Sequence, residues 1–121
     1  MPRLISNPAL IKAEGNKIKI IREFIGKVNS GNSDVSIAMM KSPEGWTEPG
    51  QKPEFDEYTI VIKGVLHIKT IDSEYDISEG QGIVINKNEW VQYSSPNLEG
   101  AEYVSVCIPA FSPEAVHRDN D

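Results

Sequence analysis

The stretch of sequence that decides the fold covers residues 45–64 and reads GWTEPGQKPEFDEYTIVIKG. Alternation in its last third assigns strand side chains to two faces, Glu57, Thr59 and Val61 on one and Tyr58, Ile60 and Ile62 on the other. Neither face is polar throughout, as a solvent-exposed face would be. A strand covered on both sides is typical of a barrel that holds a polar ligand inside and is covered outside by another sheet or subunit.

Short apolar segments extend this pattern on both sides of the stretch. Nine glycines and eight prolines divide the chain into pieces rich in Ile, Val and Tyr, which predicts strands. The predicted strands cover residues 17–24, 35–41, 57–63, 65–70, 74–77, 82–86, 90–94 and 102–108. In the last of them, Tyr103, Ser105 and Cys107 share a mildly polar face. Regularly spaced strands favour a sandwich or a closed barrel.

Two turns and one helical turn complete the predicted structure. Hairpins are expected to close at Lys63-Gly64 and at Ser78-Glu79-Gly80. A single helical turn is expected near the end, where Ser112 would cap and Pro113 would take the first helical position.

Length and charge limit the classes of partner. With 121 residues the chain is expected to form one domain over residues 1–121. Its formal net charge of -6 would repel nucleic acid and anionic lipid, so neither is an expected partner. The first residues do not read as a signal peptide and Cys107 is the only cysteine, so a cytoplasmic location is expected.

Residues 45–64 resemble the first motif of the cupin superfamily, in which a glycine, two histidines separated by one residue, a glutamate and a closing glycine recur. Glu57 and Gly64 enclose six residues, as in that motif. The histidine positions fall on Gln51 and Pro53. Proline offers no side-chain ligand, and an amide oxygen is a weak ligand for zinc or iron.

The segment GQGIVINKNEWVQYS, which starts at Gly80, resembles the second cupin motif. Asn86 stands where proline is usual, and Asn88 stands where glycine is usual. Asn88 tolerates a left-handed turn. The third histidine of the family falls on Val91, so the histidine metal site would be degenerate.

The resemblance implies an all-β fold, a cupin-type double-stranded β-helix (jelly-roll) barrel, with the short helical turn at its carboxy-terminal end. The motif-bearing core covers residues 45–95, and the chain is similar to small single-domain bacterial cupins. Cupin barrels carry many activities, so the resemblance predicts the fold and leaves the ligand open.

Glu57 is the first candidate for the site, since it matches a metal ligand of the family. A carboxylate inside a small barrel requires a metal, a cation, hydrogen-bond donors or a proton. The alternative is a structural pairing with a buried lysine or with backbone amides. Tyr93 lies on the same strand face as Val91, and its hydroxyl is expected to reach the cavity of Glu57 or else to pack in the core.

The loop that leads into the first motif supplies two further candidates, Glu48 and Gln51. Gln51 occupies a ligand position by count, and either side chain could bend over the mouth of the barrel, although Glu48 could equally belong to an exposed turn. Glu57 and Gln51 are the candidate metal ligands, and Glu57 and Tyr93 are the candidate catalytic pair.

Aromatic and histidine side chains complete the candidates for ligand binding. Trp46 and Trp90 flank the two motif segments and could line a pocket or pack at the rim. His117 follows the helical turn and could fold back as a lid or remain in solvent. His67 shares a face with Lys69 and is expected at the surface, while Cys107 is expected to be an inert core thiol.

Three functions compete at this point. The favoured one is a module that binds a small polar or cationic molecule inside the barrel. The second is an enzyme with a weakly held divalent metal on Glu57 and Gln51, helped by Glu48 or His117 and water, an oxygen-rich set suited to manganese, magnesium or calcium. The third is a metal-free isomerase, epimerase or lyase with Glu57 as base and Tyr93 or His117 as acid. The apolar face of Tyr58, Ile60 and Ile62, together with the pairing of barrels that the cupin resemblance implies, also predicts a homodimer.

Overall fold

Nearly all regular structure in the computed structural model, which describes residues 1–119, is β-strand. The strands are β1 (Ala9–Ile11), β2 (Ile20–Ile25), β3 (Ser36–Ser42), β4 (Trp46–Thr47), β5 (Asp56–Thr70), β6 (Glu74–Ser78), β7 (Gly82–Ile85), β8 (Val91–Ser95) and β9 (Ala101–Ile108). One short helix, α1 (Pro113–Val116), follows them. The all-β prediction is confirmed. Only β1 and β4 were not predicted, because two or three residues are too few to show alternation.

The sheet is organised around β5. The described strands pair antiparallel in the order β1-β2-β3-β9-β5-β8-β4. The first half of β5 pairs with β9 and β7, whereas its second half pairs with β6 and β8. Because it is 15 residues long, β5 belongs to both halves of the curled sheet and connects them.

The hairpin predicted at Lys63-Gly64 is wrong, because β5 continues through both residues. The strand instead shifts its register against β9 between Val61 and Lys63, and Gly64 takes a φ of 77°. A Cβ at Gly64 would lie 2.1 Å from the carbonyl oxygen of Gly100. The glycine therefore allows a close approach of two backbones rather than a reversal of the chain.

The hairpin predicted at Ser78-Glu79-Gly80 is also wrong. In the described sheet β6 and β7 both pair with β5, so they follow each other in the same direction along one neighbour. The turn between them leaves the edge of β5 and rejoins it, and the amide of Gly80 donates to the carbonyl of Val61 on β5. The hairpin that does form joins β5 to β6, where the amide of Thr70 donates to the carbonyl of Ser73 at 2.8 Å.

The helical turn lies where the sequence predicted it, with Pro113 at its start. Ser112 occupies the N-cap position, but its hydroxyl makes no capping hydrogen bond within residues 1–119, so this part of the prediction is wrong. Among the described residues no helix has the length and apolar character needed to cross a membrane.

Alternation assigns the two faces of β5 correctly, but the outer face, which was predicted to be covered by another sheet or subunit, is exposed in the described chain. Glu57, Thr59 and Val61 are buried, and Thr59 meets Ser105 of β9 with 3.3 Å between the two hydroxyl oxygens. The opposite side chains are exposed, 39% for Tyr58, 56% for Ile60 and 48% for Ile62. In the described chain this outer face is covered by no other element.

The interior of the barrel is divided into an apolar and a polar part. Under the second half of β5, Leu66 and Ile68 pack with Val91 and Ile77 in the main core. Under the first half, Glu57 shares the interior with polar groups from β8 and β9. The fold thus places one carboxylate of the first motif where water is largely excluded.

His67 lies on the β5–β6 hairpin, close to the surface as expected. Its two ring nitrogens lie 2.8 Å from a carboxylate oxygen of Asp76 and 2.9 Å from one of Glu74. The hydrogen bond with Asp76 outweighs partial burial and, together with Glu74, raises the pKa of His67. These contacts connect β6 to β5 on the hairpin.

Replacing Gly64 with alanine should destabilise the protein strongly. The left-handed backbone costs an L-residue about 1–2 kcal/mol, and the contact with the Gly100 carbonyl adds a clash of comparable size. We expect Gly64→Ala to lower the free energy of unfolding in urea by about 3 kcal/mol. Gly80→Ala is the matched control, because Gly80 has a φ of 83° with no described atom within 4 Å of the added Cβ. Equal losses in the two variants would contradict this account.

Candidate functional site

A cavity of about 70 Å³ lies inside the barrel beside the first half of β5. One water needs about 10–15 Å³ of such space, so the cavity accommodates a molecule larger than water. Its walls come from β1, β2, β3, β5, β8, β9, the loop after β4 and the carboxy-terminal tail. The polar side chains that line it and matter for chemistry are Lys19, Glu48, Gln51, Glu57, Tyr93 and Arg118.

Glu57 and Tyr93 meet in this cavity, as their positions on β5 and β8 predict. Both are buried, and the Tyr93 hydroxyl donates to Oε1 of Glu57 at 3.0 Å. Burial raises the pKa of Glu57, and the bond from Tyr93 and the charge of Lys19 offset part of that rise. Burial and the neighbouring Glu57 raise the pKa of the Tyr93 hydroxyl well above its ordinary value. Tyr93 therefore acts as a donor that holds the carboxylate in place.

Glu48 is the second buried carboxyl group, and its predicted exposed alternative is excluded at 8% exposure. Two backbone contacts position it: its amide donates to the Tyr93 carbonyl, and the Gln92 side chain donates to its carbonyl at 3.0 Å. Its carboxyl group makes no hydrogen bond within residues 1–119. Burial raises the pKa of Glu48 to about 7; Glu57 adds to the rise, and Lys19 opposes it.

Lys19 supplies a positive charge that the sequence analysis missed. Its ammonium lies 4.2 Å from the centre of the Trp46 ring and 5.1 Å from that of Tyr103. Burial lowers the pKa of Lys19, but Tyr103, Glu48 and Glu57 outweigh it, so that the pKa rises and the ammonium stays charged. Strand alternation could have identified Lys19, because it places Lys19 on the same face as Ile21 and Glu23. All three residues line the cavity.

Gln51 is 5% exposed and lines the cavity near these groups. Its backbone pairs with Val91, with the Gln51 amide donating to the Val91 carbonyl at 2.9 Å and the reverse bond at 2.8 Å. Its side-chain amide has no hydrogen-bond partner in the described chain. Val91 packs in the apolar core, so the family's third histidine position carries no polar group here.

Trp46 and Trp90 contribute to the surroundings of the cavity, but in the described structure neither lines it. Trp46 is fully buried, and its indole nitrogen donates to the Glu14 carbonyl at 3.0 Å. Its ring supports Lys19, which makes it a positioning residue. The Trp90 indole donates to the carboxylate of Asp119 at 3.1 Å.

The tail reaches the cavity through Arg118 and not through His117. His117 is exposed and bonds to the Glu54 side chain on the outside. The next residue, Arg118, lies in the wall of the cavity and pairs through its backbone with Gln51. Of the two alternatives predicted for His117, a lid or a position in solvent, the structure shows the second, and Arg118 is the tail residue that lines the cavity.

Metal-binding groups do not converge in this cavity. Within residues 1–119, no three His, Cys, Asp or Glu side chains are placed to share an ion. Cys107 lines the cavity, and burial followed by the charge of Glu57 raises the pKa of its thiol. The arrangement offers one fixed ammonium, two carboxyl groups of raised pKa and an amide, which together can bind and orient a polar molecule.

Comparison with known proteins gives one sequence relative and several similar folds. Endoribonuclease YbeY of Myxococcus xanthus (strain DK1622) is 39% identical over 101 residues, which are 84% of this chain and 34% of that protein. This chain thus spans about a third of the length of that relative. No family model matches the sequence.

Two solved structures illustrate the likeness in fold. EutQ of Clostridium difficile is 26% identical, with a TM-score of 0.64 over 77% of this chain and 64% of that chain. Oxalate decarboxylase of Bacillus subtilis is 17% identical, with a TM-score of 0.80 over 97% of this chain and 31% of that chain.

The pKa of Glu48 makes stability depend on pH. Since its pKa rises on folding from 4.5 to about 7, the folded state binds the proton more tightly, and stability falls as pH rises through that window. Glu48→Gln removes this loss. The free energy of unfolding of the variant minus that of the wild type should therefore rise by roughly 3 kcal/mol between about pH 4.5 and 8. Urea denaturation at both ends of the window measures the gain.

The matched control is Glu79→Gln, which changes an exposed carboxylate in the turn after β6. The difference in free energy of unfolding between Glu79→Gln and the wild type should be the same at both ends of this pH range. A Glu48→Gln difference that is equally independent of pH would show that the carboxyl group is solvated in the folded protein.

Proposed function

This chain is a cupin-fold domain, as its two motif-like segments predicted, and we propose that it binds a small polar organic molecule in the barrel cavity. One observation carries the proposal. Glu48, Gln51 and Glu57 are each at most 8% exposed and line the same cavity, and the first two have no side-chain partner within residues 1–119. The polar atoms of Glu48 and Gln51 face the open space of the cavity and are not sealed in protein, so a ligand in that space would complete their hydrogen bonds.

The proposed binding needs no bound metal. Glu57 and Gln51, the candidate metal ligands, lie in the same wall, but Glu57 already accepts a hydrogen bond from Tyr93. Two oxygen donors hold manganese, magnesium or calcium only weakly, because such ions take six or more ligands. A weakly held divalent ion would therefore be an addition to the ligand site and not its basis.

An RNA substrate, which the name of the Myxococcus relative indicates for that protein, is not part of the proposal. The formal net charge of -6 repels phosphate backbones. The cavity, at about 70 Å³, is also too small for a nucleotide chain. A small molecule fits both the charge and the volume.

A second candidate function, metal-free acid-base catalysis, rests on the pKa of Glu48. A group with a pKa of about 7 exchanges protons readily near neutral pH, and the fixed charge of Lys19 could stabilise a developing negative charge on oxygen. Glu57, bonded to Tyr93, would then orient the substrate. Turnover of an identified ligand that Glu48→Gln abolishes while binding persists would establish this function.

Filling the cavity should abolish ligand binding. Ala38 lies on the inner face of β3 in the cavity wall, so Ala38→Leu would occupy the ligand's space. A metabolite screen by thermal shift, run with chelator, should find compounds that stabilise the wild type by mass action and leave Ala38→Leu unaffected. Met39→Leu, on the opposite face of the same strand, is the control and should respond like the wild type.

Two results would contradict the binding function. One is a screen in which no compound raises the melting temperature of the wild type. The other is a stabilising compound that acts equally on Ala38→Leu, since such a compound binds elsewhere.

We also propose that the outer face of β5 forms a homodimer. This outer apolar face consists of Tyr58, Ile60, Ile62, Val84, Val104 and Val106, which neighbour one another across β7, β5 and β9. Sheets pack face to face through such apolar surfaces. A two-fold contact uses the same patch on both copies, and an apolar sheet face is complementary to itself.

Ile60→Lys should convert the dimer to a monomer. A charge in the centre of the apolar contact would be buried without a partner. Sedimentation velocity at micromolar concentration should show a dimer for the wild type and a monomer for the variant. Ile71→Lys, at the exposed tip of the β5–β6 hairpin, should leave the dimer intact. A wild type that sediments as a monomer would refute the dimer.

A further inference from the structure

The cavity contains charges of both signs that influence one another. Lys19 and Arg118 contribute positive charge, while Glu48 and Glu57 contribute carboxyl groups. A third carboxylate in the wall, that of Glu23, already accepts hydrogen bonds from the backbone amides of Val28 and Asn29, at 3.0 and 2.9 Å. Lys19, Glu48 and Glu57 are therefore the charged groups from which the class of ligand is argued.

Lys19 does not contact the two carboxyl groups whose charges raise its pKa. Within residues 1–119, Lys19 forms no direct ion pair with Glu48 or Glu57. Its ammonium instead lies over the rings of Trp46 and Tyr103. All three side chains line the same cavity, so a molecule in it meets a donor-only ammonium and two carboxyl groups.

Simple ions fit this space poorly. Above the raised pKa values of Glu48 and Glu57, where both groups are ionised acceptors, a carboxylate ligand would suit Lys19 but would face their oxygens, and an ammonium ligand would meet the reverse conflict with Lys19. A hydroxyl group satisfies both sides, because one oxygen accepts from an ammonium and its hydrogen is donated to a carboxylate. The mixed charges thus select against ligands of either net charge.

We infer that the cavity binds a neutral, hydroxylated molecule of a few carbons, with hydroxyl groups that accept from Lys19 and donate to Glu48 and Glu57. The inference rests on the proposed binding function and adds the class of ligand. Ile21, Met40 and Phe55 line the same cavity and provide contacts for the carbon skeleton. A short diol or triol has both kinds of surface and fits a cavity of about 70 Å³.

Four probes of similar size separate this class from its competitors: 1,2-propanediol, propionate, propylammonium and alanine. Each is titrated into isotope-labelled wild-type protein, and amide shifts are followed by NMR. We expect 1,2-propanediol to shift the amides around Lys19, Glu48 and Glu57 in a saturable way. Its Kd should be at least about ten-fold lower than those of the two singly charged probes.

Two variants test the role of the ammonium. Lys19→Met keeps the length of the side chain but removes the donor, and should raise the Kd of the diol about ten-fold. Lys69→Met, which changes an exposed lysine on β5, should leave it unchanged. The ranking of the four probes on the wild type does not depend on whether Lys19→Met folds.

Several outcomes would overturn the inference. Tighter binding of propionate or propylammonium in the cavity would assign a charged ligand, and tighter binding of alanine would assign a zwitterion. In these cases the binding function stands and the ligand class is wrong. Absence of saturable shifts with the diol also overturns the class, and the Ala38→Leu comparison then decides whether the binding function fails with it.

Discussion

The continuity of β5 is the constraint on which the rest of the structure depends. Its first half holds Glu57 in the polar cavity, and its second half holds Leu66 and Ile68 in the apolar core. Both halves stay in one strand only because the backbone of Gly64 passes close to that of Gly100. A side chain there would separate β5 from β9, and the cavity and the core would lose a common wall.

Local patterns in the sequence determine much of this fold. Alternation along β5 and β9 was enough to place Glu57, Tyr103 and Cys107 inside and Tyr58 outside. The same local information cannot distinguish a glycine that turns the chain from one that admits a distant backbone. Both readings of Gly64 fit its neighbours in sequence, and Gly100, which decides between them, lies on the far side of β5.

The site was predictable where it coincides with the motif-like segments. Glu57, Gln51, Glu48 and Tyr93 all line the cavity, because strand alternation and the loop before β5 fix their directions. Lys19 was missed because it lies outside those segments, and its role depends on Trp46 beneath it. The tail shows the limit of sequence reasoning, since adjacent residues face opposite ways and only the fold shows that Arg118 faces the cavity.

Both ends of the described chain contribute walls to the cavity, Ile11 and Glu14 near the start and Arg118 near the end. Ile11 belongs to a three-residue strand, and Arg118 follows a four-residue helix. Elements with so few contacts open locally at much lower free energy than the whole domain. A ligand could therefore leave by fraying of either end while the barrel stays folded. Residence time would then be set by the chain ends, whereas selectivity would be set by the rigid strands between them.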